Sequence, residues 1–153
     1  MSRTILVRNR QRARKLDVRC LRRIVDGFLE TFAPKKQCEL GIHFVDRSAI
    51  QKLNETWLRH EGPTDVITFD YNDPRQPEVL SGDMLICVSE AVRQAKEFGT
   101  SWQSEVIRYV VHGLLHLSGF DDRSARERRR MKKQEDRIME ALVKEFDLAT
   151  IGR

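Results

Sequence analysis

Two histidines four residues apart, His112 and His116, are the residues in this chain best placed to act together on a substrate. On a helix that spacing stacks them on one face, about 6 Å apart along the axis, so both imidazoles can point at one metal ion. Gly119 follows three residues later and permits the chain to leave the helix in a left-handed conformation. The turn can bring Asp121 or Asp122 back to the same point as a third ligand. Three protein ligands and one open position are the arrangement of a catalytic zinc site.

The pattern H-x-x-x-H-x-x-G-x-x-ligand also occurs in metallopeptidases, which place a glutamate directly after the first histidine as general base. Here that residue is Gly113. Glycine can neither take a proton from water nor return one to a leaving amine, so peptidase chemistry is poorly supported. Histidines at this spacing also occur as a plain polar stripe. The glycine turn and the carboxylates after it favour the metal.

A ligand pair needs a rigid support. Val106, Ile107, Val110, Val111, Leu114 and Leu115 give residues 101–118 a broad apolar face, which predicts a buried helix. Thr100 and Gln103 are expected to form its capping box. Residues 4–7, 38–45, 66–69 and 82–88 read as four strands. Residues 17–32 repeat apolar side chains at helical spacing until Pro34. Asp46 is placed to cap a helix through Ile50, Leu53, Trp57 and Leu58, and Ser89 to cap one that ends at Gly99. Ser124 and Glu127 should open a last helix that turns Met131, Ile138, Leu142 and Phe146 inward. The Gly62-Pro63 pair and the two prolines within residues 72–78 mark loops. His43 reads as a packed or edge-strand residue, not a ligand. With no repeat and no low-complexity linker, residues 1–153 predict one α/β (α+β) domain. Its expected frame is a four-stranded mixed sheet with about five helices, the metal site lying on a helix and the turn after it.

Composition narrows the setting. A chain of 153 residues, 40% hydrophobic and 33% charged, suits one soluble domain with a real core. No run approaches the roughly 18 apolar residues of a membrane helix, and no signal peptide is read at the start. Cys20, Cys38 and Cys87 are too few and too scattered for a disulfide frame or a cysteine zinc site. They fit reduced thiols in the cytoplasm. The net charge of +5 is clustered, in Arg8, Arg10, Arg12, Arg14 and Lys15 and again from Arg123 to Lys133. Such clusters favour polyanionic partners. Glu127, Glu135 and Asp136 are mixed into the second cluster, and a solvated helix face is the competing reading.

Three blocks together resemble the YbeY family of bacterial endoribonucleases. Residues 112–121 fit its signature H-G-x-L-H-L-x-G-[YF]-D-H position by position. Leu53-Asn54, Arg59 and Pro63-Thr64-Asp65-Val66-Ile67-Thr68-Phe69 match a second block. Gly82-Asp83-Met84 matches a third, with Ser81 where the family usually has leucine, and Glu127, Met131 and Glu135 continue the match. The resemblance spans roughly residues 40–142.

It implies a metal-dependent, single-strand-specific endoribonuclease that hydrolyses RNA phosphodiester bonds. Its implied setting is ribosomal RNA processing, including 16S rRNA 3′ end maturation, and ribosome quality control. The ribosome or small-subunit proteins are the implied partners, and one Zn2+ per chain the implied cofactor. Arg59 falls at a family arginine of the active cleft, where its planar guanidinium suits a phosphate. One position departs: the family's third ligand is histidine, and this chain has Asp122. Aspartate oxygen binds zinc at about 2.0–2.2 Å, so His112, His116 and Asp122 are the expected ligands. Asp121 as ligand, or a two-histidine site completed by water, are the alternatives. The extra negative charge should raise the pKa of bound water and favour harder ions such as manganese, while the imidazoles favour zinc. Asp65 and Asp83 match family positions but are left as loop or strand-capping residues. The nucleophile, water or the RNA 2′-hydroxyl, is left open. Two other functions compete: a metallopeptidase-like hydrolase, and a zinc-stabilised RNA- or ribosome-binding protein without turnover.

Overall fold

The computed structural model describes residues 2–57 and 65–152. In chain order they form β1 (Arg3–Arg10), α1 (Val18–Phe32), β2 (Gln37–Val45), α2 (Arg47–Trp57), β3 (Val66–Asp70) and β4 (Val79–Cys87). Then come α3 (Val88–Phe98), α4 (Trp102–Leu117), α5 (Ala125–Glu145) and a 3-10 turn, Leu148–Ile151. The sheet runs β1-β2-β4-β3. β1, β2 and β4 are parallel, and β3 is antiparallel to β4. This is the four-stranded mixed sheet with five α-helices that the patterning predicts.

Side-chain alternation decides what each face packs against. Ile42 lies level with Val7 and Met84, and Phe44 with Ile86, so these residues share one face. They meet the apolar stripes of α1, α4 and α5 in the main core. Asp17 starts α1 by accepting the Cys20 N–H at 3.1 Å, and Leu21, Ile24, Val25, Phe28 and Leu29 are the buried stripe. The other face carries a smaller core, where Ile50 of α2 packs with Ile67 and Cys87.

Several boundaries differ from the sequence reading. β1 continues through Arg8 to Arg10, so part of the first basic cluster sits on an edge strand; charge there deters edge-to-edge pairing. β4 begins earlier, at Val79, and Val88 belongs to α3. Ser89 is therefore inside α3, and the residue at the cap position, Cys87, makes no side-chain cap bond. The α4 box is also shifted. Ser101, not Thr100, is the cap and accepts the Ser104 N–H, while Thr100 donates to Glu105. The hydroxyl one residue nearer the helix wins because its backbone already has the extended geometry of a cap. Phe146 ends α5 as its C-terminal cap residue. His43 lies on an interior strand, 3.5 Å from Asp83, and not on an edge. The expected end of the second helix at Leu58 and the Gly62-Pro63 loop lie outside the described residues.

Two glycines set how closely α4 lies on the sheet. A Cβ on Gly113 would stand 3.0 Å from the Met84 sulfur. One on Gly82 would stand 2.5 Å from Leu117 Cδ2 and 2.6 Å from the Phe69 carbonyl oxygen. The position held by the peptidase glutamate is therefore used here for helix–sheet contact.

Candidate metal centre

On α4 the polar residues Arg108, His112 and His116 form one column at four-residue intervals, while most of the helix is buried and apolar. The column faces α5 and the turn after α4. Gly119 enables that turn with φ of 102°, and its N–H donates to the His116 carbonyl at 3.1 Å. The Phe120 N–H donates to the Leu115 carbonyl at 3.0 Å. The chain then reverses and delivers Asp122 to the histidines.

Three donor atoms converge. His112 Nε2 and His116 Nε2 are 3.1 Å apart, and Asp122 Oδ2 is 3.6 Å from the first and 3.4 Å from the second. A tetrahedral ion with bonds of about 2.0–2.1 Å needs its donors about 3.3–3.4 Å apart. The residues fit a metal ion in donor type, spacing and partial exposure, and they are the one such His/Cys/Asp/Glu group among the described residues. Asp121 has other work: its Oδ1 accepts the Asp122 N–H at 2.8 Å and its Oδ2 pairs with Arg123 at 3.2 Å. Arg128 also holds the turn, donating to the Asp122 carbonyl at 3.3 Å.

From the sequence Glu135 reads as part of a matching block and as one of the acids mixed into the second basic cluster, where the competing reading is a solvated helix face. The structure buries it instead. In the structure its Oε2 lies 3.0 Å from His112 Nδ1, and Arg108 stands 4.0 Å from its Oε1. A signal was present: Glu135 interrupts the inward stripe of Met131, Met139 and Leu142 on α5. An acid buried in such a stripe requires a partner. Burial is the largest single influence on His112 and by itself would lower its pKa. The hydrogen bond and charge of Glu135, with the charges of Asp65 and Asp122, outweigh it and raise the pKa above the ordinary histidine value.

The histidines open into a cleft of about 540 Å³ bounded by β3 and the turn. Asp65, Asp70, Asp121 and Asp122 all line it, against Arg123 as the lone described cation. So acidic a cleft attracts cations and repels phosphate until positive charge is placed within it. A larger cavity of about 770 Å³ adjoins it, sharing Asp70 and Leu117, but holds no converging metal donors. Asn72 lines the larger one. Its amide nitrogen donates to the Leu117 carbonyl and its oxygen accepts the Ser81 N–H, both at 2.8 Å. Arg59, the expected phosphate partner, lies outside the described residues.

Comparison with known proteins adds a second line of observation. Residues 6–143 match the family model described as Endoribonuclease YbeY. A protein of that name from Carboxydothermus hydrogenoformans is 42% identical over 103 residues, which cover 67% of this chain and 71% of that one. Another from Myxococcus xanthus is 42% identical over 105 residues, covering 66% of this chain and 35% of a much longer protein. The solution structure of TM1509 from Thermotoga maritima shares the fold, with a TM-score of 0.67 at 22% identity over 93% of this chain and 91% of that one.

Proposed function

This chain belongs to the endoribonuclease YbeY family, and from that premise we propose that residues 1–153 form one metal-dependent endoribonuclease domain acting on single-stranded ribosomal RNA. The observation that carries the reading is the donor triangle of His112, His116 and Asp122 at the mouth of an acidic cleft. We assign these three residues as ligands of one Zn2+. The near-tetrahedral donor spacing supports zinc, and the carboxylate leaves manganese as the ion to compare. When bound, such an ion supplies Lewis acidity toward a phosphate oxygen or a water.

The chain's own residues do the rest. The two imidazoles and the carboxylate fix where positive charge sits in a cleft whose other groups are mostly anionic. That lets a phosphodiester enter between β3 and the turn. Arg59 is assigned as the cation that grips the phosphate and offsets charge in the transition state. Gly113 supplies no proton-transfer group, which disfavours the peptidase alternative. Ribosomal RNA maturation, including the 16S 3′ end, and ribosome quality control follow as the setting, with small-subunit proteins as partners. The three free cysteines support a reducing, cytoplasmic location, and no described helix is long and apolar enough to cross a membrane.

The test is metal analysis beside RNA cleavage. His116→Ala and Asp122→Ala should each lose metal and lower cleavage at least about a hundredfold, whereas Asp122→His should retain both. Normal cleavage by metal-free His116→Ala would remove the metal from the mechanism. RNA binding without cleavage by fully loaded wild type would favour the non-catalytic alternative.

A further inference from the structure

We propose that Glu135 is a positioning residue for the metal centre, setting the tautomer and the aim of His112 from a different helix. The assignment rests on the metal reading above and deepens it. A neutral imidazole offers a lone pair at one nitrogen and a proton at the other, so a partner at Nδ1 decides what Nε2 presents. Glu135 Oε2 is 3.0 Å from His112 Nδ1, within hydrogen-bond range. As an acceptor it holds the proton on Nδ1, which leaves the Nε2 lone pair facing His116 and Asp122.

Burial gives the contact its importance. Glu135 is 9% exposed and sits among Met131, Met139 and Leu142, where methionine or leucine would pack without electrostatic cost. A carboxylate there is retained against its desolvation, and the two groups that meet it are His112 and Arg108. Arg108 stands one turn before His112 in the same column and is itself held by Asp136 at 2.8 Å. The column and its partners therefore interlock α4 with α5. Arg108 balances the carboxylate's charge, and the carboxylate orients the ring. Metal-bound histidines characteristically donate their second ring N–H to such a carboxylate, and losing it weakens metal binding about 10–100-fold.

The experiment uses the full chain and two variants. Glu135→Met keeps the volume and suits its apolar neighbours, so folding is expected to survive; Glu135→Gln retains a carbonyl acceptor. Zinc affinity is measured without RNA, by competition with a chromophoric chelator. The His112 tautomer is read from ring ¹⁵N shifts of the metal-free protein at a pH where the ring is neutral. Glu135→Met should bind zinc about 10–100-fold more weakly and lose the preference for a proton on Nδ1. Glu135→Gln should recover most of both. Wild-type zinc affinity and an unchanged His112 tautomer in Glu135→Met would overturn the assignment while leaving the metal reading intact. Zinc binding equally weak in wild type and His116→Ala would overturn the metal reading and this assignment with it.

Discussion

At the scale of single residues, proton and metal compete for His112 Nε2. The carboxylates around the ring raise its pKa above the ordinary value near 6.5, although burial works against them. Without metal, the folded state therefore binds this proton more tightly than the unfolded chain does. That contribution to stability is fully present below the unfolded value and disappears as pH rises through the folded one. Metal binding has the opposite dependence, because the ion must displace the proton. Over one pH window, the unfolding midpoint of chelator-treated protein should fall while zinc affinity rises toward a plateau. Subtracting the same melting curves for His112→Gln isolates this residue from other titrating groups. A metal-free difference curve that rises through the window would contradict the assigned environment of His112.

At the scale of elements, the site depends on how closely α4 lies on β4. Leu117 follows the second histidine, and it packs where Gly82 leaves no side chain. A Cβ at residue 82 would meet both Leu117 and the fixed Phe69 carbonyl, and the carbonyl cannot yield cheaply. Gly82→Ala should therefore cost about 1–3 kcal/mol, as overpacked cores do. It should also weaken zinc binding by displacing the last turn of α4. Denaturant unfolding and chelator competition check both effects; unchanged values for each would mean that the contact is not restrictive. The same contact shows what the sequence could disclose. Periodicity revealed α1 and α4, because an apolar stripe is a local property of the chain. The His112/His116 spacing and the Gly119 turn were legible for the same reason. The role of Gly82 was not, since it depends on a partner 35 residues away, nor was the Glu135–His112 contact between α5 and α4. The α4 cap differs by one residue because two neighbouring hydroxyls, Thr100 and Ser101, compete for it, and the α3 cap position falls on Cys87 because that helix starts directly where β4 ends.

At the scale of the whole molecule, the sheet separates the two basic clusters. β1, with Arg8 and Arg10, is one edge strand, while the metal cleft borders β3 at the other edge. Three strand spacings, about 14 Å, lie between those edges. The cluster on α5 is different: Arg128 holds the turn that carries Asp122, and Arg130 lies 5.5 Å over the Phe120 ring. Arg126, Arg129 and Lys133 are exposed within the first three turns of the same helix, on the side opposite the buried Met131 and Glu135. An RNA too short to cross the sheet should sense only the α5 cluster, whereas a longer strand can reach both. Replacing Arg126, Arg129 and Lys133 with alanine should weaken binding of short and long single strands alike. If each residue contacts one phosphate, the slope of log affinity against log salt should become shallower by about 2. Replacing Arg8, Arg10 and Arg12 should affect only the longer strand. Salt titrations of both RNAs with both triple variants give the comparison. Loss of short-strand binding confined to the N-terminal variant would reverse the direction of the RNA path, because the contact nearest the cleft would then lie across the sheet from the metal.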